Sequence, residues 1–324
     1  MATSRSWRPS HVLDGPYPAR LEDIEELNHV FSESFTERYR RDGMVGVRVP
    51  FLNPSVWRYA IRDAADGAMV WRGEHGDIIG FNMVHRSGVE GWMGPIAVRS
   101  EHQGVGSGKE IVRRGIDWLK VHGASVIGLE TMPRTMDNIG FYSALGFVPG
   151  KLTLTTTVDA TYADKPAGAF GRLSARDKDD ALAECKALLG SLQPGYDHTR
   201  EIQLTDELAL GDTLLLRKGD TLAGFALCHT APLVEGRPRE DLRVLKLTLR
   251  DVSHVDEMVR SLSDFARRSG TRRVSIRVQS EYDDVYQKVI AMRARVRWSD
   301  LRMTFIGHSE RHVERGVVFS NWEI

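Results

Sequence analysis

The stretch IAVRSEHQGVGSG, residues 96–108, decides how the first half of this sequence folds. An apolar run ends at Val98, three glycines follow between residues 104 and 108, and a helical pattern begins near Lys109. Glycine lets a backbone approach a ligand where a Cβ would collide. Such a loop, followed by a helix N-terminus, offers backbone N–H groups and a positive dipole end to phosphate oxygens. The stretch therefore predicts an anion-binding loop between a strand and a helix.

The sequence of this loop matches neither of two common nucleotide-binding motifs. The Rossmann fingerprint G-x-G-x-x-G requires a spacing that Gly104, Gly106 and Gly108 do not have. A Walker A loop ends in Gly-Lys followed by Ser or Thr, because the hydroxyl binds magnesium. Here Glu110 follows Lys109, so the hydroxyl is missing. Both nucleotide-binding interpretations of the loop are therefore weakened.

The elements around the loop predict an α/β fold. Apolar spacing of three and four residues indicates helices, and short apolar runs bounded by turn residues indicate strands. In chain order these are a helix at 21–35, strands at 68–72 and 78–85 joined as a hairpin, a strand at 91–98, a helix at 109–122, a strand at 124–130 and a short helix at 136–145. The strands before and after the long helix are expected to be parallel neighbours.

A repeat at a fixed offset indicates that the fold occurs twice. Gly80 and His85 are followed 144 residues later by Gly224 and His229, and Tyr142 is followed at the same distance by Tyr286. A chain of 324 residues also exceeds the roughly 250 to 300 at which a single core stops growing. We predict one domain at residues 1–159, a linker at 160–171 and a second domain at 172–324.

The composition excludes several classes of partner. Lys and Arg total 44 and Asp and Glu total 44, so the chain has no net charge that would favour nucleic acid or an anionic membrane. Its two cysteines suggest neither a disulfide framework nor a Cys-x-x-Cys metal site. No apolar segment has the length of a signal peptide core or a membrane span. We therefore expect a cytoplasmic protein without a metal. His308 and His312 have a spacing of four residues that could place both on one helix face, but no acidic or Cys partner is arranged around them to complete a metal site.

The loop resembles the acyl-CoA loop of the GNAT superfamily of N-acetyltransferases. Gln103, Gly106 and Gly108 match the signature [QR]-x-x-G-x-[GA], and Tyr142 opens a Y-x-x-x-G-F segment that is also similar to the family. The resemblance implies an α/β fold of two tandem GNAT-like domains, each a mixed, mostly antiparallel sheet flanked by helices. It also implies that acetyl-CoA is the acyl donor and that the acetyl group moves to an amine by direct attack in a ternary complex.

The resemblance also implies roles for individual residues. The strand residues Ile96, Ala97 and Val98 would offer backbone hydrogen bonds to the pantetheine arm, as a sheet edge does to an added strand. The pyrophosphate would be held by Gln103, Gly104, Val105, Gly106, Ser107, Gly108 and Lys109. Tyr142 would protonate the departing thiolate, a suitable role for a phenol of pKa about 10 beside a thiol of pKa about 8.5. Many members have an Asn seven residues before this Tyr, where Thr135 stands here, while Asn138 lies four before. Either residue could contact the cofactor.

The base that takes the proton of the attacking amine is not fixed by the sequence. The candidates are Glu90 at the start of one strand, Glu130 at the end of the next and His85 at the end of the hairpin, and we favour Glu90 or Glu130 as the base. His85 is repeated as His229 in a copy without the loop, which suggests a structural histidine. A chain of water molecules without a single base is a further alternative.

The second copy lacks the glycine-rich loop. No glycine lies between Leu245 and Arg260, so side chains would stand where phosphates need backbone. We predict a degenerate domain that completes the acceptor cleft. The acceptor is a small-molecule or peptide amine whose identity the sequence does not reveal, and formation of a homodimer is left open. The alternative function is a non-catalytic acyl-CoA-binding sensor or interaction protein.

Overall fold

The computed structural model describes residues 13–322, which form an α/β fold of thirteen strands and eight α-helices. The strands are β1 (Asp14–Pro18), β2 (Ala68–Arg72), β3 (Ile78–Ser87), β4 (Glu90–Val98), β5 (Val126–Thr131), β6 (Phe147–Asp159), β7 (Gly168–Ala169), β8 (Gly211–Lys218), β9 (Thr221–His229), β10 (Asp241–Leu249), β11 (Arg273–Gln279), β12 (Arg295–Phe305) and β13 (Val317–Ser320). The helices are α1 (Ile24–Arg41), α2 (Pro54–Ala64), α3 (Ser107–Val121), α4 (Met136–Ser143), α5 (Ala175–Leu192), α6 (Thr199–Glu207), α7 (Val255–Arg268) and α8 (Asp283–Ala291).

The predicted fold class is confirmed, with a mixed and mostly antiparallel sheet flanked by helices. Strands β2 and β3 form the predicted antiparallel hairpin. Strands β4 and β5, on either side of helix α3, are parallel neighbours as expected. The corresponding strands of the second half, β10 and β11, are also parallel. Gly80 on β3 and Gly224 on β9 occupy matching positions, opposite the last residues of β4 and β10.

The two halves share one sheet because they exchange strands. The strand order is β1-β2-β3-β4-β5-β12-β6-β11-β10-β9-β8-β7, with β13 paired to β10. Strand β12 of the second half lies between β5 and β6 of the first, and β6 in turn pairs with β11. The segment 160–171, predicted as a linker, contains β7, which pairs with β8. The sequence predicted the repeat, and the exchange that joins its copies is visible only in the structure.

Two elements of the first half were not predicted. Helix α2 begins with a standard signal, since the Asn53 side chain accepts a hydrogen bond from the Ser55 amide and Pro54 takes the first helical position. Strand β1 has only five residues, and it pairs with β2 at the edge of the sheet. Helix α1 also extends to Arg41, beyond the predicted end at Phe35, through a polar turn in which Glu37 bonds to Arg40 and Arg41.

Three apolar cores hold the helices against the sheet. One core lies between β4 and α3 in the first half, and a second lies under α7 in the second half. The third is shared, because it joins α1 and α2 to α5 and α6 through side chains such as Trp57, Leu188 and Phe225. Among the helices within residues 13–322, none is long and apolar enough to cross a membrane.

The strand exchange and the shared core predict that the two halves unfold together. Removing either half would expose the edges of β5, β6 and β11 and half of a common core, so neither half retains a complete sheet alone. We expect a single transition in differential scanning calorimetry, with equal calorimetric and van't Hoff enthalpies. Two resolved transitions would contradict this prediction.

Candidate active site

The glycine-rich loop connects the end of β4 to the start of α3. Gly104 and Gly106 adopt left-handed backbone angles, with φ of +78° and +103°, which side-chain-bearing residues rarely adopt. A Cβ at either position would meet no atom within 4 Å, so the backbone here faces open space. Gly106 is the N-cap of α3, and its carbonyl oxygen accepts from the amides of Lys109 and Glu110, while the first amides of a helix have no partner one turn before them. The loop therefore presents backbone donors and a positive helix end to a ligand.

Beside the loop, β4 and β5 separate. They pair only through four rungs, from Glu90 with Val126 to Met93 with Leu129. A register shift between β3 and β4 at this point marks a bulge around Gly94 and Pro95. The last residues of β4 therefore pair with β3 on one side and have no β5 partner on the other. The Val98 carbonyl oxygen accepts from Ser34 and Gln103, and the backbone before it has no β5 partner and can pair with an extended ligand.

A cleft of about 520 Å³ opens at this separation. Four elements and the loop form its walls: α1, the end of β4, α3 and α4. Its lining residues are Ser34, Phe35, Glu37, Arg38, Arg41, Ile96, Ala97, Val98, Gln103, Gly104, Gly106, Gly108, Lys109, Val112, Asp137, Asn138, Phe141 and Tyr142.

Most of the residues predicted to hold the cofactor line this cleft, and three do not. Val105 is exposed on the loop, and the buried Ser107 begins α3. Thr135 is fully buried, and its hydroxyl donates to the Asp42 carboxylate at 2.7 Å. Of the two residues considered for the cofactor arm, it is therefore Asn138 that lines the cleft.

The side chain of Gln103 holds the loop in place. Its amide nitrogen donates to the carbonyl oxygen of Val98 at 2.8 Å, and its amide oxygen accepts from Arg41 at 3.2 Å. Both contacts are with the protein itself, so the side chain fixes the loop against the end of β4 and the first helix.

Tyr142 lies on α4 at the wall of the cleft. Phe141 and Phe147 surround it edge to face, with centroid distances of 5.1 and 6.0 Å. Burial raises the pKa of Tyr142 to about 12. The phenol therefore stays protonated throughout the physiological range and can act only as a proton donor there.

The carboxylates predicted as bases lie outside the cleft lining and have buried hydrogen-bond and charged partners. Glu90 is fully buried and accepts hydrogen bonds from the Ser320 hydroxyl at 2.8 Å and the Trp322 indole at 2.7 Å. Burial by itself raises the pKa of Glu90, but Lys246 and His198, together with the indole, outweigh it and lower the pKa to about 2. A base that weak, without access to the cleft, is unsuited to the predicted role.

Glu130 is held in the same way. Burial raises its pKa, but Arg277 and Arg302 outweigh burial, so the pKa lies below its usual value. Arg277 donates to this carboxylate and Arg302 lies 3.5 Å from it.

His85 is also buried, with its Nδ1 2.6 Å from Asp63 and its ring stacked on Trp92. These contacts agree with the structural alternative for His85.

Helix α1 supplies a wall that the sequence analysis missed. Ser34, Glu37, Arg38 and Arg41 recur at intervals of three and four residues, so they lie on one helix face. That spacing indicates a polar helix face and was present in the sequence, but only the apolar residues of the same helix were used to predict it. Ser34 also donates to the carbonyl oxygen of Val98 at 3.1 Å, which fixes the helix to the end of β4.

The second half has no equivalent cleft among the described residues. Strands β10 and β11 also separate, after pairing from Asp241 to Arg243. Here β13 fills the gap and pairs with β10 from Lys246 to Leu249. In the loop before α7, the Asp251 carboxylate accepts the Ser253 amide at 2.8 Å. The chain's own strand and carboxylate thus occupy the places that a ligand arm and a phosphate would take.

Replacing Glu130 tests whether it is structural. In Glu130→Gln, Arg277 and Arg302 lose a buried counter-ion, which we expect to cost about 3 to 5 kcal/mol of unfolding free energy. The control is Glu184→Gln, which breaks an ion pair with Arg217 whose side chains are 39% exposed, at a cost of about 0 to 1 kcal/mol. Denaturant unfolding measures both. Unchanged stability with lost turnover would instead support a catalytic role for Glu130.

Comparisons with known proteins agree with this geometry. Residues 24–147 match the sequence profile of the acetyltransferase (GNAT) family. No curated protein sequence matches the chain. Among solved structures, a provisionally assigned acetyltransferase from Pyrococcus horikoshii is 14% identical, with a TM-score of 0.69, and the match covers 99% of this chain and 98% of that one.

Two further structures share the whole fold. A GCN5-related N-acetyltransferase from Sphaerobacter thermophilus is 13% identical with a TM-score of 0.57, covering 94% of this chain and 98% of that one. A tandem GNAT protein from the clavulanic acid biosynthesis pathway is 10% identical with a TM-score of 0.56, covering 90% and 96%. The family profile thus covers residues 24–147, so the chain is similar to GNAT acetyltransferases in the half that carries the loop, and it shares the fold of these structures over both halves.

Proposed function

We propose that the chain moves an acetyl group from acetyl-CoA to the amine of a small molecule or peptide. The main observation behind this proposal is that the end of β4 and the glycine-rich loop line one continuous cleft. Unpaired backbone at the end of β4 leads directly to the amides of the glycine-rich loop at the start of α3. An extended pantetheine arm with a pyrophosphate at one end fits that sequence of donors. The helix end and Lys109 supply the positive charge that the pyrophosphate needs.

The reaction follows from the positions of these groups. The amine nitrogen attacks the thioester carbon, the new N–C bond forms, and the C–S bond breaks. A backbone N–H of the separated strand stabilises the negative charge on the carbonyl oxygen. Tyr142 gives its proton to the departing thiolate, since its phenol is protonated and lines the cleft.

The proton of the attacking amine passes to water in the open cleft. The carboxylates in the lining are engaged with arginines, because Arg40 and Arg41 bind Glu37 and Arg38 binds Asp137. Hydrogen bonds from Arg40 and Arg41 lower the pKa of Glu37 to about 2. Glu37 is therefore a weak base, and this agrees with the water chain considered from the sequence.

The loop assignment is tested by a pair of tryptophan substitutions. We expect Gly106→Trp to abolish acetyl-CoA binding in calorimetry, because the indole would occupy the pyrophosphate position. Gly123→Trp is the matched control at the other end of α3, since Gly123 has φ of +77° and faces open space as Gly106 does. Both variants incur a similar left-handed penalty of about 1 to 2 kcal/mol. The control should bind one acetyl-CoA per chain, like the wild type, and retained binding in Gly106→Trp would refute the loop assignment.

The role of Tyr142 is tested by removing its hydroxyl. Tyr142→Phe should lower kcat by about 10² to 10⁴ and change the Kd for acetyl-CoA by less than about threefold. The assay follows free thiol released from acetyl-CoA with a panel of amines. Tyr286→Phe, at the matching position of α8, is the control and should keep wild-type turnover. Binding without thiol release for every amine in the wild type would favour the sensor function instead.

A further inference from the structure

Trp322 lies beside the last paired residues of β4 and β5, just before the two strands separate. Its indole packs on β5 at Gly128, where a Cβ would stand only 2.2 Å from the ring. Its carbonyl oxygen lies 3.6 Å from the position of a Cβ at Gly94, directly after the last paired residue of β4. Ile96, which lines the cleft, is two residues further along this strand, about 7 Å away. Trp322 therefore stands beyond the inner end of the cleft.

The ring of Trp322 is fixed on several sides. Its Nε1 donates to Glu90 at 2.7 Å, and the guanidinium of Arg302 lies 3.6 Å above its centroid. The neighbouring amide of Asn321 donates to the carbonyl oxygen of Leu245 on β10. Only 1% of the residue is exposed. Because these contacts come from both halves, the indole is a rigid wall and not a side chain that swings aside.

We propose that Trp322 limits the acyl group of the donor to acetyl. The inference rests on the proposed function, in which the pantetheine arm follows the last residues of β4 and brings the thioester to the separation point. Every methylene added to the acyl group would then extend toward the indole and Gly128. A close-packed wall cannot take an additional methylene unless its side chains move. The second half thus contributes a specificity-determining residue to the site of the first.

Calorimetry with a series of CoA thioesters tests this inference without knowledge of the acceptor. Free CoA, acetyl-CoA, propionyl-CoA and butyryl-CoA are titrated into the full-length protein. The wild type should bind butyryl-CoA at least about tenfold more weakly than acetyl-CoA, the scale on which apolar pockets discriminate by methylene groups. In Trp322→Ala, the difference should fall to about twofold or less.

Two other variants separate selectivity from folding. Trp322→Phe loses the bond to Glu90 but keeps an aromatic wall, so it should retain most of the selectivity. Trp298→Ala removes a partly exposed Trp of β12, 40% exposed, and should leave the wild-type selectivity unchanged. If Trp322→Ala does not fold in thermal unfolding, Trp322→Leu replaces it with a smaller apolar side chain and the same expectation.

The outcomes distinguish this inference from the proposed function. Equal affinity of the wild type for acetyl-CoA and butyryl-CoA, or unchanged selectivity in a folded Trp322→Ala or Trp322→Leu, would overturn the acyl limit and leave the proposed function standing. Absence of binding for free CoA and all thioesters would overturn the proposed function itself. Preference for acetyl-CoA that is lost with the indole would support both.

Discussion

The structure depends on how the protein satisfies the backbone that two diverging parallel strands leave unpaired. Strands β4 and β5 share four rungs and then separate, and β10 and β11 do the same after three. Buried N–H and C=O groups without partners are costly, so each gap requires an occupant. In the first half the gap opens into a cleft, and in the second half β13 closes it with four residues. One fold thus gives a binding half and a closed half.

The chain that closes the second gap also completes the first. Ser320, the last residue of β13, and Trp322 just beyond it reach Glu90 at the base of β4, and Lys246 of β10 lies 3.8 Å from the same carboxylate. Burying such charges is costly unless each has a partner, so these contacts hold the halves in a single arrangement. This explains why the carboxylates at these two strand ends are buried with charged partners. Those charged partners lie more than 100 positions away in the sequence.

Local sequence patterns predicted the elements well where the pattern was strong. The glycines after β4, the hairpin of β2 and β3 and the long helix α3 all follow from short-range rules of turn chemistry and periodicity. Helix α2 was not predicted, although Asn53 and Pro54 marked its start. For α1, only the apolar face was recognised, and the polar face that lines the cleft was not. In both cases the local sequence contained the necessary information, namely a helix-capping pair and a helical spacing of polar residues.

The sequence by itself determined which half carries the glycine-rich loop, because glycines stand at the required positions in the first copy and are absent from the corresponding part of the second. Tertiary structure decided the rest. The exchange of β6 and β12, the closing of the second gap by β13 and the position of Trp322 against Gly128 all join residues far apart in the chain. Such pairings depend on which backbone groups remain unsatisfied after the local elements have formed, and no periodicity in the sequence records that.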